Sequence, residues 1–290
     1  MHDGTTNQLT DTTSSHATKL SKNDNQVAGY NPAKVAGQAI ANKLSVILIT
    51  KNEAMNIREC LESVAWADEI IVVDSGSSDG TVDICREFGA QVYVHDWPGF
   101  GIQKNRALAY ASHDWVLSID ADQRVTEALR TSIQTAVIAN NPAFAAYEVS
   151  RLSAYCGRFM RHSGWYPDRI VRLFKREVAR FSDDLVHEKL LVEGRTGRLN
   201  GELLHFAFDN IEEVLHKVNH YSTAGAQMMQ ARGRQSSLSG AVIRGLWSFV
   251  RTYILRGGIL DGREGFMLAV SNAEGTYYRY LKLMLLNKKP

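Results

Sequence analysis

The 290-residue chain reads as an α/β protein, a mostly parallel sheet with helices on both faces and a C-terminal helical extension. Three observations lead there. Short apolar, β-branched runs recur, the mark of strands buried on both faces. Apolar residues at helical spacing fill the intervals between them. The strand ends fall near Thr50, Asp74, Trp97 and Asp120, at intervals of 24, 23 and 23 residues. A β-α repeat of that length implies right-handed crossovers and parallel strands.

Leu44–Thr50 (LSVILIT) is the first strand, and Ile57, Cys60, Leu61 and Val64 mark a helix within 53–66. Glu69–Asp74 (EIIVVD) is the second strand. The turn Ser75–Gly80 (SGSSDG) follows it and carries helix-capping residues. Val82, Cys85 and Phe88 mark the next helix face. Gln91–His95 is the third strand, 101–112 the third helix, and 114–120 the fourth strand, closing on Asp120-Ala121-Asp122. A helix at about 126–140 ends the regular part. Phe144–Tyr155 then reads as a long strand and Gly157–Arg169 as an aromatic, basic loop. Ile170–Phe174 and 185–192 read as shorter strands, Gly194–Gly197 as a turn, and everything from 211 as helix. The expected division is a tail at 1–42, an α/β domain at 43–210 with halves 43–123 and 124–210, and a helical, basic region at 211–290. The tail is polar, without the apolar centre of a secretory signal, and its composition is that of a disordered segment.

A net charge of +2 is too small to argue for nucleic acid, but it is unevenly spread. From Ile211 onward 11 Lys/Arg stand against 5 Asp/Glu, which suggests an anionic surface as partner. Trp247, Phe249, Val250, Tyr253, Ile254 and Leu255 form an apolar band broken by Arg244, Arg251 and Arg256. A second band runs over 277–286 and ends in Lys288 and Lys289. Such helices suit a membrane interface, or pack on the main domain or on a second subunit of a homo-oligomer. No apolar run reaches the 18 residues a spanning helix needs. Cys60, Cys85 and Cys156 are odd in number and lack C-x-x-C spacing, so they read as core residues in a reducing compartment.

Ligands of parallel sheets bind beyond the carboxyl ends of the strands, and the polar clusters of residues 43–123 lie there. Asp120 and Asp122 are two apart, so on extended backbone both would face one hard cation. Mg²⁺ and Mn²⁺ take oxygen ligands and share them with substrate phosphates. Asp74 could accept from a nucleobase N–H or a ribose hydroxyl, with Ser78 or Asp79 left to cap the following helix. Thr50 and Glu53 line the same edge, and Glu53 could instead cap the first helix. Lys104 and Asn105 open the third helix, where a cation beside a helix N-terminus suits a phosphate. His187 and His205 could ligate metal, although no H-E-x-x-H spacing occurs. No G-x-G-x-x-G follows the first strand, and a Walker motif is absent. These absences argue against a dinucleotide dehydrogenase and a P-loop NTPase.

Thr50–Glu53, Val73–Thr81, Gln103–Arg106 and Asp120–Asp122 together strongly resemble a family-2 glycosyltransferase of the GT-A fold. His95–Gly101 (HDWPGFG), Gly164–Asp168 (GWYPD), Arg172–Phe174 and Val186–Glu188 (VHE) are similar to the lipopolysaccharide-core β-1,4-glucosyltransferase subfamily. The resemblance covers about residues 43–285. It implies inverting, metal-dependent transfer of glucose from UDP-glucose to a heptose of the lipopolysaccharide inner core. The acceptor is then a lipid-anchored oligosaccharide, met at the cytoplasmic face of the bacterial inner membrane through the C-terminal helices.

Under that resemblance Asp120 and Asp122 hold the ribose and a Mg²⁺ or Mn²⁺ ion bridging the diphosphate, and His187 orients the base or approaches the metal. The base is Glu188 or Asp168, with preference to Glu188; Asp183 and Asp184 read as a solvated turn. Trp165 and Tyr166 could stack on a sugar or belong to the core, and Arg161, Arg169 and Arg172 could meet core phosphates or carboxylates. Alternatives are transfer to another envelope glycan or to a polyprenyl phosphate, and a non-catalytic sugar-nucleotide-binding scaffold. A nucleotidyltransferase is disfavoured because Lys51-Asn52-Glu53-Ala54 lacks a Gly-rich basic loop.

Overall fold

The first apolar runs pair as parallel strands. In the computed structural model β1 (Leu44–Thr50) lies between β2 (Glu69–Asp74) and β4 (Trp115–Ser118), and β3 (Gln91–Val94) adds to the outer side of β2. The structure describes residues 42–182 and 189–288. The tail, apart from Asn42, and Asp183, Asp184, His187 and Glu188 lie outside that range.

Alternation along β1 sends Leu44, Val46 and Leu48 to one face and Ile47 to the other. The first face is covered by α1 (Ala54–Val64) through Ile57, Cys60, Leu61 and Val64. It is also covered by Cys85 of α2 (Thr81–Glu87) and by Leu129, Ile133, Ala136 and Val137 of α4 (Glu127–Ala139). The second face carries Ala107 and Leu108 of α3 (Phe100–Tyr110). Helices on both faces explain why these strands are almost wholly apolar. Each fully buried Val, Ile or Leu contributes about 1.5–3 kcal/mol. The capping hydroxyl of Thr126, which accepts from Leu129 N, fixes where α4 begins.

Beyond α4 the sheet changes direction. β8 (Asp168–Lys175) inserts antiparallel between β4 and β6 (Ala146–Tyr155). β11 (Thr196–Phe208) then runs parallel to β6, and β5 (Gln123–Val125) pairs antiparallel with β11. The order is β3-β2-β1-β4-β8-β6-β11-β5, with β7 (Arg158–Phe159) hairpinned onto β6. β9 (Ala179–Phe181) and β10 (Leu190–Val192) make a separate antiparallel pair. Two expectations change. The fourth strand stops at Ser118, which leaves Asp120 and Asp122 in a turn rather than on extended backbone. The turn expected at Gly194–Gly197 ends early, because Thr196 already opens a 13-residue strand. The Gly-interrupted sequence TGRLNGELLHFAF hides that strand.

The C-terminal residues are helical as expected. α5 (Ile211–Ala231) has a reciprocal cap, with Asn210 accepting from Glu213 N while the Glu213 carboxylate accepts from Asn210 Nδ2. α6 (Leu238–Val250) passes into one π-helical stretch, Arg251–Leu255, and both α5 and α6 pack on α7 (Gly262–Leu286). Among the described residues no helix is long and apolar enough to cross a membrane.

Candidate active site

The carboxyl ends of β1, β2 and β4 form one edge, and the loops there brace one another. Asp74 is fully buried. Its Oδ1 accepts from Gly76 N (2.9 Å) and Ser77 N (2.8 Å), and its Oδ2 accepts from Thr50 Oγ1 (3.0 Å) and from the Ser77 hydroxyl. These bonds make Asp74 and Thr50 organisers of the turn at the sheet edge. Ser77 Oγ accepts from Asn52 N, Asp79 Oδ2 from Ala54 N and Thr81 Oγ1 from Glu53 N, so the loop after β2 supplies the cap that α1 lacks. Thr81, then Ala54 N, hold the Asp79 carboxyl below its usual range. Glu53 occupies the N-cap position without capping. Burial raises its carboxyl above the usual value; Asn56 opposes this, while Asp122, Asp79 and Asp120 add to it.

Lys104 sits one turn into α3, not at its start. Its Nζ lies 3.2 Å from Asp120 Oδ1, and Arg172 of β8 places Nη2 2.6 Å from Asp120 Oδ2. Gln123 completes the grip, donating to Oδ2 (2.9 Å) and accepting from Asp120 N (3.2 Å). Burial alone would raise the Asp120 carboxyl; Arg172, then Lys104, outweigh it and hold the group well below the carboxylate range. Asn105, the next residue of α3, is engaged by the backbone of β9. Its amide donates to Phe181 O and accepts from Phe181 N, both at 2.9 Å, and so pins β9 to α3.

Asp122 is held differently. Its carbonyl accepts from Phe206 N (2.9 Å), and its Oδ2 lies 3.2 Å from His205 Nε2 on β11. Ser153 Oγ, 2.9 Å from His205 Nδ1, fixes the ring. Asp122 Oδ1 is buried with no hydrogen-bond partner. A carboxylate oxygen in that condition is unfavourable unless something cationic arrives. Among the described residues no cluster of three His, Cys, Asp or Glu side chains forms a self-sufficient metal cage. Asp122 and His205 nonetheless offer one oxygen and one imidazole to an ion that completes its shell with substrate oxygens. Asp120, with both oxygens engaged by cations, is the poorer ligand of the pair.

Two cavities flank this centre. One, about 390 Å³, is lined by Ile49, Thr50, Lys51, Glu53, Trp97 and Phe100. Trp97 and Phe100 form an exposed edge-to-face pair, 4.7 Å between centroids, on its rim. The other, about 340 Å³, brings together Asp168, His205, Trp165 and Phe208. Asp168 Oδ2 accepts from Arg151 Nε (2.8 Å) and Nη2 (2.6 Å). Of the residues weighed for the acceptor, Arg172 belongs to Asp120, Arg161 pairs with Glu202 beside Tyr166, and Arg169 pairs with Glu148. Trp165 packs against Tyr155 and Phe208. The partnership of Asp122 with His205 leaves no mark in the sequence, because 83 residues separate them. Cys60 and Cys85 are structural: burial pushes both thiols up, Cys85 to about 12.

Comparison with known proteins shows the family of the chain. The model of glycosyl transferase family 2 matches residues 45–188. A protein named as an uncharacterized glycosyltransferase of Rickettsia prowazekii is 30% identical over 258 residues, covering 85% of this chain and 88% of that one. The lipopolysaccharide core biosynthesis glycosyltransferase LpsC of Rhizobium meliloti is 30% identical over 237 residues, covering 79% and 87%. Among solved structures, the glucosyl-3-phosphoglycerate synthase of Mycobacterium tuberculosis with Mn²⁺, UDP and glucosyl-3-phosphoglycerate overlaps 42% of this chain at 26% identity and a TM-score of 0.34. The chain spans less than half of that protein's length, 46%. The chain belongs to glycosyl transferase family 2.

Proposed function

We propose that this family-2 enzyme transfers glucose from UDP-glucose, with inversion, to a heptose of the lipopolysaccharide inner core. The observation that carries the reading is the buried, unpartnered oxygen of Asp122 beside a cation-locked Asp120. That arrangement awaits a divalent ion and a diphosphate. The similarity to LpsC and the HDWPGFG, GWYPD and VHE motifs support the acceptor class.

Asp122 and His205 would hold Mg²⁺ or Mn²⁺. When bound, the ion supplies the positive charge that the departing diphosphate needs. Asp120 keeps acceptor capacity for a ribose hydroxyl on Oδ1, and Trp97 and Phe100 offer faces to the nucleobase. The acceptor hydroxyl enters from the Asp168 side. Its oxygen bonds to the anomeric carbon as the bond to the diphosphate oxygen breaks on the opposite face. Its proton passes to a carboxylate in the same step, which makes an otherwise weak nucleophile competent. Asp168 is the base that the cavity geometry supports; Glu188 is the alternative from sequence.

The face of α6 and the turns after it supports work at a lipid surface. Ile243, Leu246, Trp247 and Leu255 are more than half exposed, and Arg244 shares α6 with the first three. Exposed apolar side chains with a neighbouring arginine suit the headgroup layer of an anionic membrane. UDP release tests the activity, with UDP-glucose, Mn²⁺ or Mg²⁺ and a heptose-bearing core acceptor. Metal-dependent, acceptor-stimulated release that disappears in Asp122→Ala is expected; release without metal, or from the variant, contradicts it. Comparing Asp168→Asn with Glu188→Gln identifies the base as the one whose loss abolishes transfer.

A further inference from the structure

A third cavity, about 450 Å³, lies between the C-terminal helices and the end of the sheet, within the size range of small-ligand sites. Lys217 of α5, Arg251 and Arg256 after α6, and Arg279 of α7 all line it, and no Asp or Glu does. Among the described residues, none of these four cations has a carboxylate partner. Lys217 Nζ donates to Ala207 O (3.1 Å) and stands 4.3 Å from the centre of the Phe208 ring. Glu274, which acts electrostatically on Tyr155, is the near acid on α7 and is outside the lining.

The arginines are seated rather than loose. A Cβ at Gly164 would lie 2.6 Å from Arg256 Cδ, and one at Gly225 would lie 2.9 Å from Arg279 Nε. Two glycines therefore make room for two guanidiniums. Ser163 N donates to Arg256 O (2.8 Å), which ties the loop before Trp165 to the end of the π-helical stretch. Four like charges gathered from three helical elements repel one another, and an anion between them reverses the sign of that interaction. The cavity shares Gly164, Trp165 and Phe208 with the one that holds Asp168 and His205. A ligand crossing that wall would place an anionic group among the arginines and a hydroxyl beside Asp168.

We propose that this cavity is an anion subsite for the acceptor, taking a phosphate or carboxylate carried by the glycan next to the hydroxyl that is glycosylated. The proposal deepens the transferase reading and rests on it. Guanidinium fits such oxyanions with paired, charge-assisted hydrogen bonds, whereas the hydroxyls of a neutral glycan accept only single, weaker bonds from these four side chains.

The test is calorimetric titration of the full chain with lipid-free core oligosaccharide, either phosphorylated and carboxylated as isolated or stripped of phosphate and with its carboxylates reduced. Wild type is compared with an Arg256→Gln/Arg279→Gln double variant, and UDP with Mn²⁺ is titrated in parallel. The charged oligosaccharide is expected to bind wild type at least about tenfold more tightly than the neutral form, as charge-assisted hydrogen bonds allow. The double variant should lose that preference and bind UDP as wild type does, which also shows that it folds. A preference that survives in the variant, or none in wild type, overturns the proposal. So does a variant that loses only its binding to phosphatidylglycerol vesicles, since the cavity then serves a lipid headgroup. Absence of UDP binding in wild type counts against the donor reading alone.

Discussion

Asp122→Asn should make the protein more stable and less active. The native carboxylate has one buried oxygen without a partner and shares its surroundings with Glu53 and Asp120. An unsatisfied buried acceptor costs about 1–3 kcal/mol, more when it is charged. The amide keeps the shape and the approach to His205 but removes the charge, so the expected gain sits at the low end, about 1 kcal/mol. For a domain of about 150–250 residues that raises Tm by about 2–4 °C. Loss of the metal ligand acts the other way on turnover: one missing electrostatic stabiliser of a transition state costs about 100-fold or more. Scanning calorimetry with and without Mn²⁺ links the two effects. At about 100 times its Kd the ion adds about 2.7 kcal/mol to wild type and should add nothing to the variant. A variant that melts well below wild type without metal, or keeps the Mn²⁺ shift, would refute the assignment of Asp122 as a metal ligand.

Arg172→Met should cost about 2 kcal/mol at pH 7. Breaking a buried pair costs about 3–5 kcal/mol, partly offset because Lys104 and Gln123 still hold Asp120 and because the buried, unpartnered Arg172 Nε disappears. The Asp120 carboxyl is held low in the folded state, so its contribution is complete above its unfolded value near about 3.9 and fades as pH falls below that. Urea unfolding at pH 7 and pH 3 should therefore show a smaller difference in acid. Glu53→Gln should have the opposite dependence: with its folded carboxyl raised, wild type loses stability as pH climbs through that range, and the variant should exceed wild type at pH 7.5 but match it at pH 4 in thermal melts. Asn105→Ala leaves Phe181 N–H and C=O unpaired and should cost about 2–3 kcal/mol in urea unfolding, with UDP binding unchanged. Leu246→Asp should weaken cosedimentation with phosphatidylglycerol vesicles at least severalfold while leaving transfer to a lipid-free acceptor intact.

The parallel strands were readable because burial on both faces leaves almost nothing but Val, Ile and Leu in β1 and β2, and the crossover helices keep the spacing regular. β11 was not readable as a strand: Gly197, Asn200 and Gly201 interrupt it, and its register shifts against β6 between Arg198 and Glu202. Asp120 and Asp122 stood out by position, yet their different fates depend on Arg172 and His205, whose approach is a property of the sheet's change of direction. The side chains of Asn105 and Asp74 suit ligands, but the sequence does not show what else they hold: the backbone of Phe181, 76 residues away, and the turn at Gly76 and Ser77. The four cations around the third cavity spread over residues 217–279 with no spacing to betray them.

The antiparallel insertion of β8 also sets an order of events. Asp120 leaves β4 at one edge of the sheet, and Arg172 reaches it from a strand 52 residues further along the chain. Closing a loop of that length costs chain entropy that the local βα units do not pay, so the Asp120–Arg172 contact should form after them. A chain ending after α4 carries the motifs at the ends of β1, β2 and β4 but lacks the guanidinium that holds Asp120 and the imidazole that meets Asp122. Its acidic turn is left without those two partners, so such a fragment should bind UDP more weakly than the full chain.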